Sequence, residues 1–458
     1  MPNIWILSGA LAVVVLASFA LSPRVRHIDG FFRGTSASGV APGVVTLVLS
    51  QVTTWIFARS LMNAAILGFY YGIAGALAYA GYYASFLTGA AIVDSIRFRH
   101  GHASIQSFLA SRFGAVGTGC YNFLVAVRLV SEVFANLLVV GIIFGAAGSF
   151  ANTGSIAVVA VLTLAYSMMG GLRASLRTDV LQMVLLLGAL AALLVQIATG
   201  PGFDWTGIFA SSADSSGPGW VLMAVAALQV WSYPMHDPVM MDRGLIADRR
   251  TTRRSFLHAA WLSALCILAF GLVGVEAGLV ARDGEALMAA LGRLLDPLTL
   301  MLFNLILVIS AVSTLDSTLS SASKLAIMDM GLAARSVRNG RVAMAGFMAV
   351  GLLLLFAGSE DLFSAVAVSG TASMYLAPVI VMVIWGGARV ARWSYLASFV
   401  AAMTAAGLYF LEAGGHIDWV GRLTGLEHKY SVLLFLCLAV LAIGFTAFAL
   451  GRRPHRSG

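Results

Sequence analysis

Apolar runs long enough to cross a lipid bilayer recur along the whole chain, and they leave few folds open. They can be drawn at 4–21, 44–67, 71–96, 117–147, 155–170, 178–198, 218–236, 256–281, 297–331, 342–358, 361–387, 392–411 and 430–451, thirteen in all. A spanning helix needs about 20 predominantly apolar residues. In lipid every backbone N–H and C=O must be satisfied within the protein, which leaves helices and closed barrels. Runs of this length are helical, so the chain reads as one all-α polytopic membrane bundle. Composition agrees: 60% of residues are hydrophobic, 10% are charged, and the mean hydropathy is +0.91. No polar stretch is long enough for a separate soluble domain.

The net charge of +8 invites a nucleic-acid reading, but the basic residues follow topology instead. One set of alternate loops holds Arg24, Arg26, Arg33, Arg97, Arg99, Arg112, Arg173, Arg177, Arg243, Arg249, Arg250, Arg253 and Arg254. The same set continues with Lys324, Arg335, Arg338, Arg341, Arg389, Arg392, Arg452, Arg453 and Arg456, while the other holds only Arg282, Arg293, Arg422 and Lys429. Cytoplasmic loops carry the Lys/Arg excess, which puts the amino terminus outside and the carboxyl terminus in the cytoplasm. Arg24 and Arg26 follow the first apolar run, the reverse of a secretory signal, so that run reads as a retained helix. Cys120, Cys266 and Cys437 fall in apolar runs without ligand-like spacing.

The segment ISAVSTLDSTLSSASKLAIMDM, from Ile309 to Met330, breaks the apolar pattern. Polar side chains in lipid face a bundle interior or a wet cavity and point to an ion or substrate path. On a helix Ser313, Thr314 and Ser317 share roughly one face. Neutral oxygens beside the Asp316 carboxylate suit a small hard cation, and sodium is the expected one.

Three motifs resemble the sodium:solute symporters, the group with bacterial proline, pantothenate, sialic acid and galactose transporters. They are STLDS at Ser313–Ser317 with SSAS at Ser320–Ser323, GGLRASLRTDVLQ at Gly170–Gln182, and DPVMMDRGLIADR at Asp237–Arg249. The resemblance implies about thirteen transmembrane helices around a LeuT-type core of five plus five helices in inverted repeat. An extra helix and loop would occupy 1–34, the first repeat 35–200, the second 201–390, and two further helices 391–458. It implies sodium-coupled symport of a small polar organic solute into the cell, with sodium bound and no organic cofactor. The protein would sit in the cell membrane, the inner membrane of a bacterium, and would not be an enzyme. Its partners would be the solute and the lipid bilayer, with no nucleic acid; the sequence gives no sign of oligomeric state.

By the same resemblance, sodium would be held by Ser310, Ser313 and Thr314 and by the backbone carbonyls of Leu49 and Val52 in a broken second span. Asp179, Asp316 and Ser317 match a second cation site. Two carboxylates at one site repel unless a cation or proton lies between them, so a second sodium and proton coupling both remain open. Asp179 could equally be a helix-terminal charge. The solute-facing candidates are Gln51, Thr53, Arg59, Arg128, Glu132, Gln229 and Tyr233.

Other readings of these residues stand beside that one. Hydroxyls such as Ser320, Ser321 and Ser323 simply let helices pack closely. Arg128 and Glu132, at i and i+4, can form a buried structural pair. Pro234 and Pro238 predict a break in the seventh span, with Asp237 onward facing the cytoplasm and Arg243 to Arg254 acting as orientation charge. The second span has no Gly or Pro between Val44 and Leu67, which departs from the family's run of small residues and visible break, although Ser50, Gln51, Thr53 and Thr54 could still line an unwound stretch. That departure leaves open a transporter-like sensor that binds solute without net movement. Arg59 and Arg128 favour an amino acid or carboxylate as solute unless they pair internally. No phosphate loop or HExxH pattern is present, which removes a sequence basis for ATP-driven transport or zinc hydrolysis.

Overall fold

The computed structural model describes residues 4–36, 38–200, 203–212, 214–357 and 362–453. Helix α1 (Ile4–Leu21) and the short α2 (Ile28–Arg33) lead into α3 (Val44–Trp55), α4 (Ala58–Gly81) and α5 (Ser85–Val93). The long α6 (Ile105–Phe144), α7 (Phe150–Gly170) and α8 (Leu172–Ala198) follow. After α9 (Trp205–Ala210) come α10 (Pro218–Gln229), α11 (Pro238–Gly244) and α12 (Arg249–Leu279). Then α13 (Leu287–Leu294) precedes α14 (Pro297–Lys324), α15 (Val337–Ala357), α16 (Leu362–Ser373) and α17 (Leu376–Pro378). The last described helices are α18 (Arg392–Ala413), α19 (Trp419–Thr424) and α20 (Lys429–Leu450). A two-residue strand pair sets Arg389 opposite Arg453.

Among the described residues, ten helices are long and apolar enough to cross a membrane, and three shorter apolar helices accompany them. The difference from thirteen arises in four runs. The first run forms a short helix; the second is broken after Trp55, its remainder meeting the third across a non-helical kink at Gly72; and the seventh is interrupted. Residues 358–361, at the expected tenth and eleventh spans, and Arg456 lie outside the described residues.

Helix α4 is bent at Gly72, whose φ of 61° and ψ of −152° are non-helical. An L side chain rarely adopts that conformation. The turn frees backbone donors, and the Ile73 and Ala74 N–H groups donate to the Ser211 and Ser212 hydroxyls at 2.8 and 3.1 Å. Close packing of α4 on α12 rests on absent side chains. A Cβ at Gly274 would lie 1.9 Å from the Ala65 carbonyl oxygen, and one at Gly68 would lie 2.2 Å from that of Gly271. Small residues let helices approach this way where no hydrophobic drive separates protein from lipid tails.

The exterior is apolar: Val161, Val184, Leu265, Leu353, Val400 and Leu438 are all exposed. Polarity is concentrated inside, where α3, α8, α11 and α14 meet. That inversion is expected when the solvent for most of the surface is hydrocarbon.

Candidate functional site

Two helix breaks define the polar interior. The second expected span is interrupted: α3 ends at Trp55, and α4 begins at Ala58. Ile56 (φ −85°, ψ 67°) and Phe57 (φ −62°, ψ 151°) are non-helical. No glycine or proline makes this break, so its freed backbone groups must find distant partners. The Tyr83 hydroxyl donates to the Trp55 carbonyl at 2.7 Å, and the Ser310 hydroxyl donates to the Ile56 carbonyl. The Ala58 N–H donates to Asn136 Oδ1 at 3.1 Å. The break agrees with the broken second span implied by the resemblance, and tertiary partners supply what the local sequence lacks. The prolines make the other break as predicted. α10 ends at Gln229, Tyr233–His236 forms a 3-10 turn, and α11 starts at Pro238. There the Tyr121 hydroxyl donates to the Met235 carbonyl at 2.7 Å.

The carboxylate cluster lies beside the first break. Asp179 is fully buried and accepts from the Ser50 hydroxyl at 2.5 Å and from Ser313 at 3.0 Å. Thr53 donates to Ser313 at 3.1 Å, which ties α3, α8 and α14 together. Arg243 reaches the same carboxylate with Nη2, 3.0 Å from Asp179 Oδ2. The same nitrogen lies 3.1 Å from the Ser175 hydroxyl and 2.9 Å from that of Ser317. Nε donates to Ser50 at 2.6 Å, and Nη1 to the Val239 carbonyl at 2.9 Å. Arg243 was expected as orientation charge in a loop, yet it is 0% exposed. Its place in the DPVMMDRGLIADR motif was the available signal; hydropathy alone counts it as a loop arginine.

Asp316 belongs to the neighbouring compartment. Its two oxygens accept from the Ser167 and Thr178 hydroxyls, both at 2.7 Å. Of the expected second cation set, Asp179 and Ser317 meet at Arg243, and Asp316 has its own partners. Thr314 is fully buried, and its hydroxyl has no hydrogen-bond partner among the described residues. Val52 is also buried, but its carbonyl accepts the Ile56 N–H at 2.9 Å. Leu49 is half-buried, inside α3. The carbonyls assigned by resemblance therefore lie just before the break.

A second charged cluster links the two breaks. Arg59 donates to Glu132 Oε1 at 2.6 Å, and Arg128 donates to the same oxygen. Arg128 also reaches Asp237 Oδ2 at 2.7 Å. All four side chains are at most 2% exposed. The pairing of Arg128 with Glu132 agrees with the structural reading, extended by two partners. Asp237, expected to face the cytoplasm, is buried, and its other oxygen caps α11 by accepting the Met240 N–H at 2.9 Å. Removing one partner of such a buried pair would strand the other charge away from water.

Aromatic rings wall this cluster. Phe57 lies 5.4 Å from the Arg128 guanidinium, and so does Tyr233, distances at which a cation is attracted to a ring face. Trp55, Phe57, Ser60, Tyr79, Tyr82, Tyr83 and Tyr233 enclose a cavity of about 20 Å³, space for roughly one water. Gln229 is buried beyond the wall and accepts from the Tyr82 hydroxyl at 2.9 Å. Several buried polar atoms around the first break have no hydrogen-bond partner among the described residues: both amide atoms of Gln51, Trp55 Nε1, Arg59 Nε and Nη1, and Arg128 Nε. Such atoms are expensive unless something polar meets them.

No family model matches the chain, and no curated protein matches it. Solved structures do. A Na+-coupled sialic acid symporter in a substrate-bound outward-open state superposes with a TM-score of 0.72 at 16% identity, covering 99% of each chain. Mhp1, a nucleobase-cation-symport-1 family transporter in a closed conformation with bromovinylhydantoin bound, gives 0.56 at 13% identity. That match covers 93% of this chain and 95% of Mhp1. The fold is all-α and polytopic, of the LeuT type, with five-plus-five inverted repeats at its core.

Proposed function

We propose that the chain is a secondary active transporter that couples entry of sodium to uptake of a small polar organic solute. The observation that carries this reading is the set of buried hydroxyls on α14 against the broken second span. Ser310 and Ser313 bond to its residues, and the Thr314 oxygen is left without a partner. Hard neutral oxygens next to carboxylates fit a monovalent cation, and unwound backbone near the midplane is where transporters hold one. The likeness to a Na+-coupled symporter supports the same reading.

Sodium is cargo here. Ser310, Ser313 and Thr314 would take it from outside, and its charge would favour the form of the protein open to solute. Linkage makes the effect reciprocal, so solute raises sodium affinity by the same factor. The membrane potential adds about 2.3 kcal/mol per charge per 100 mV. The first repeat would run over 35–200 and the second over 201–390, with thirteen passages and the amino terminus outside.

Solute would bind where Gln51, Trp55, Arg59 and Arg128 present unpartnered polar atoms. Two arginines and two carboxylates make the adjoining cluster neutral. That internal pairing withdraws the charge of Arg59 and Arg128 as a pointer to a carboxylate solute. What they still offer are the donors Arg59 Nε and Nη1 and Arg128 Nε, which an acceptor group such as an amino acid's carboxylate would meet. The sensor reading had rested on a second span without glycine or proline, and the break at Ile56–Phe57 removes that ground.

Uptake into proteoliposomes tests the proposal. An inward sodium gradient should drive accumulation of amino acids over a choline control, and Ser313→Ala with Thr314→Ala should weaken the sodium dependence. Unchanged sodium activation in that variant would refute the assigned ion site.

A further inference from the structure

The place where a second cation is expected is filled from within the chain. Asp179 and Ser317 match that site, and the guanidinium of Arg243 lies on both, at 3.0 and 2.9 Å. All three of its nitrogens are engaged, by Ser50, Ser175, Asp179, Ser317 and the Val239 carbonyl. The side chain is 0% exposed, and so is its carboxylate partner. These partners come from four helices, α3, α8, α11 and α14. Such convergence on one group is what an ion site provides, with the charge supplied by a tethered arginine.

We propose that Arg243 is a built-in cation that occupies the second cation site, so that the chain binds one exchangeable sodium ion rather than two. The inference rests on the sodium-coupled reading above and specifies its stoichiometry. Charge counting supports it. Asp179 brings one negative charge to the site and Arg243 returns it, while Asp316 keeps to its own hydroxyl partners. The neutral oxygens of Ser310, Ser313 and Thr314 are then left for one exchangeable ion. Without Arg243 the buried Asp179 carboxylate would be uncompensated, which makes room for a second ion beside it. A guanidinium stays charged throughout the physiological range. Displacement of the side chain is therefore the only way to vacate the site, and proton loss would not do it.

The test is sodium binding to the purified full-length protein, measured with radioactive sodium and, in parallel, by thermal stability against sodium concentration in choline-balanced buffer. Wild type should bind one ion per chain with a Hill slope of one. Arg243→Ala should bind two with a slope approaching two, and Arg243→Lys should remain at one. Should Arg243→Ala fail to fold, Arg243→Gln, which keeps hydrogen-bonding capacity while losing charge, should also bind two. Two ions in wild type would overturn the proposal, as would a single ion in the folded neutral variants. Absence of sodium binding in every protein would sink the sodium-coupled reading together with this one. One ion throughout would sink this inference alone.

Discussion

Replacing Glu132 by glutamine should be among the most damaging conservative changes in the protein. Glu132 accepts from two guanidinium groups, those of Arg59 and Arg128. Glutamine keeps the shape and one acceptor oxygen but removes the charge. Two buried arginines would then face only Asp237. Breaking a buried pair by removing one partner costs about 3–5 kcal/mol, because the surviving charge is stranded. The double variant Glu132→Gln with Arg59→Gln restores balance, leaving Arg128 with Asp237. It should be less damaging than the sum of the two single changes by about 0.5–3 kcal/mol, the range seen for residues in one network. Unfolding in mixed micelles, measured for wild type, both singles and the double, gives the cycle directly. A Glu132→Gln cost below about 1 kcal/mol, or strict additivity, would refute the idea that the cluster is a single electrostatic unit.

Asn136→Leu should destabilise by about 1–3 kcal/mol, since the Ala58 N–H at the first break loses its acceptor inside the protein. An unchanged unfolding midpoint in the same assay would refute that role. Gly274→Ala should cost about 1–3 kcal/mol by overpacking, because the new Cβ meets the Ala65 carbonyl at 1.9 Å; an unchanged midpoint would refute the close packing of α4 on α12. Outside the spans, hydrogen bonding from Arg293 pulls the Glu285 carboxyl down to about 2. A depressed carboxyl stabilises above its unfolded value and loses that effect as pH falls through the folded one. Proteolysis of the 281–296 loop should therefore hold steady from neutral pH to about 5, then rise towards pH 2; a rise already complete at pH 5 would contradict the ion pair.

The bundle itself was legible because the requirement that creates it is local and repetitive: apolar length fixes each helix. The break in the seventh span was legible for the same reason, since Pro234 and Pro238 carry it in their own backbones. The break at Ile56–Phe57 was implied by the resemblance alone. Its partners Tyr83, Asn136 and Ser310 lie far along the chain, and nothing in the segment itself announces them. Arg243 and Asp237 were hidden differently. A charged residue at a span end reads as topology, and only packing reveals that α11 carries both into the interior. The α14 hydroxyls were found because an intramembrane polar run has few uses. Their partners on α3, α8 and α11 required the fold.

The short helix α11 has seven residues, about 10 Å at helical rise. Just ahead of its first turn, Asp237 is clasped by Arg128; near its far end, Arg243 is anchored among three other helices. A body this short cannot flex between its fastenings, so it behaves as a strut. Pulling Arg128 towards an incoming molecule would shift the far fastening as well, and loosening Arg243 would be felt at the aromatic wall. News of occupancy could thus pass between the two chambers along one rigid element, without any loop having to carry it.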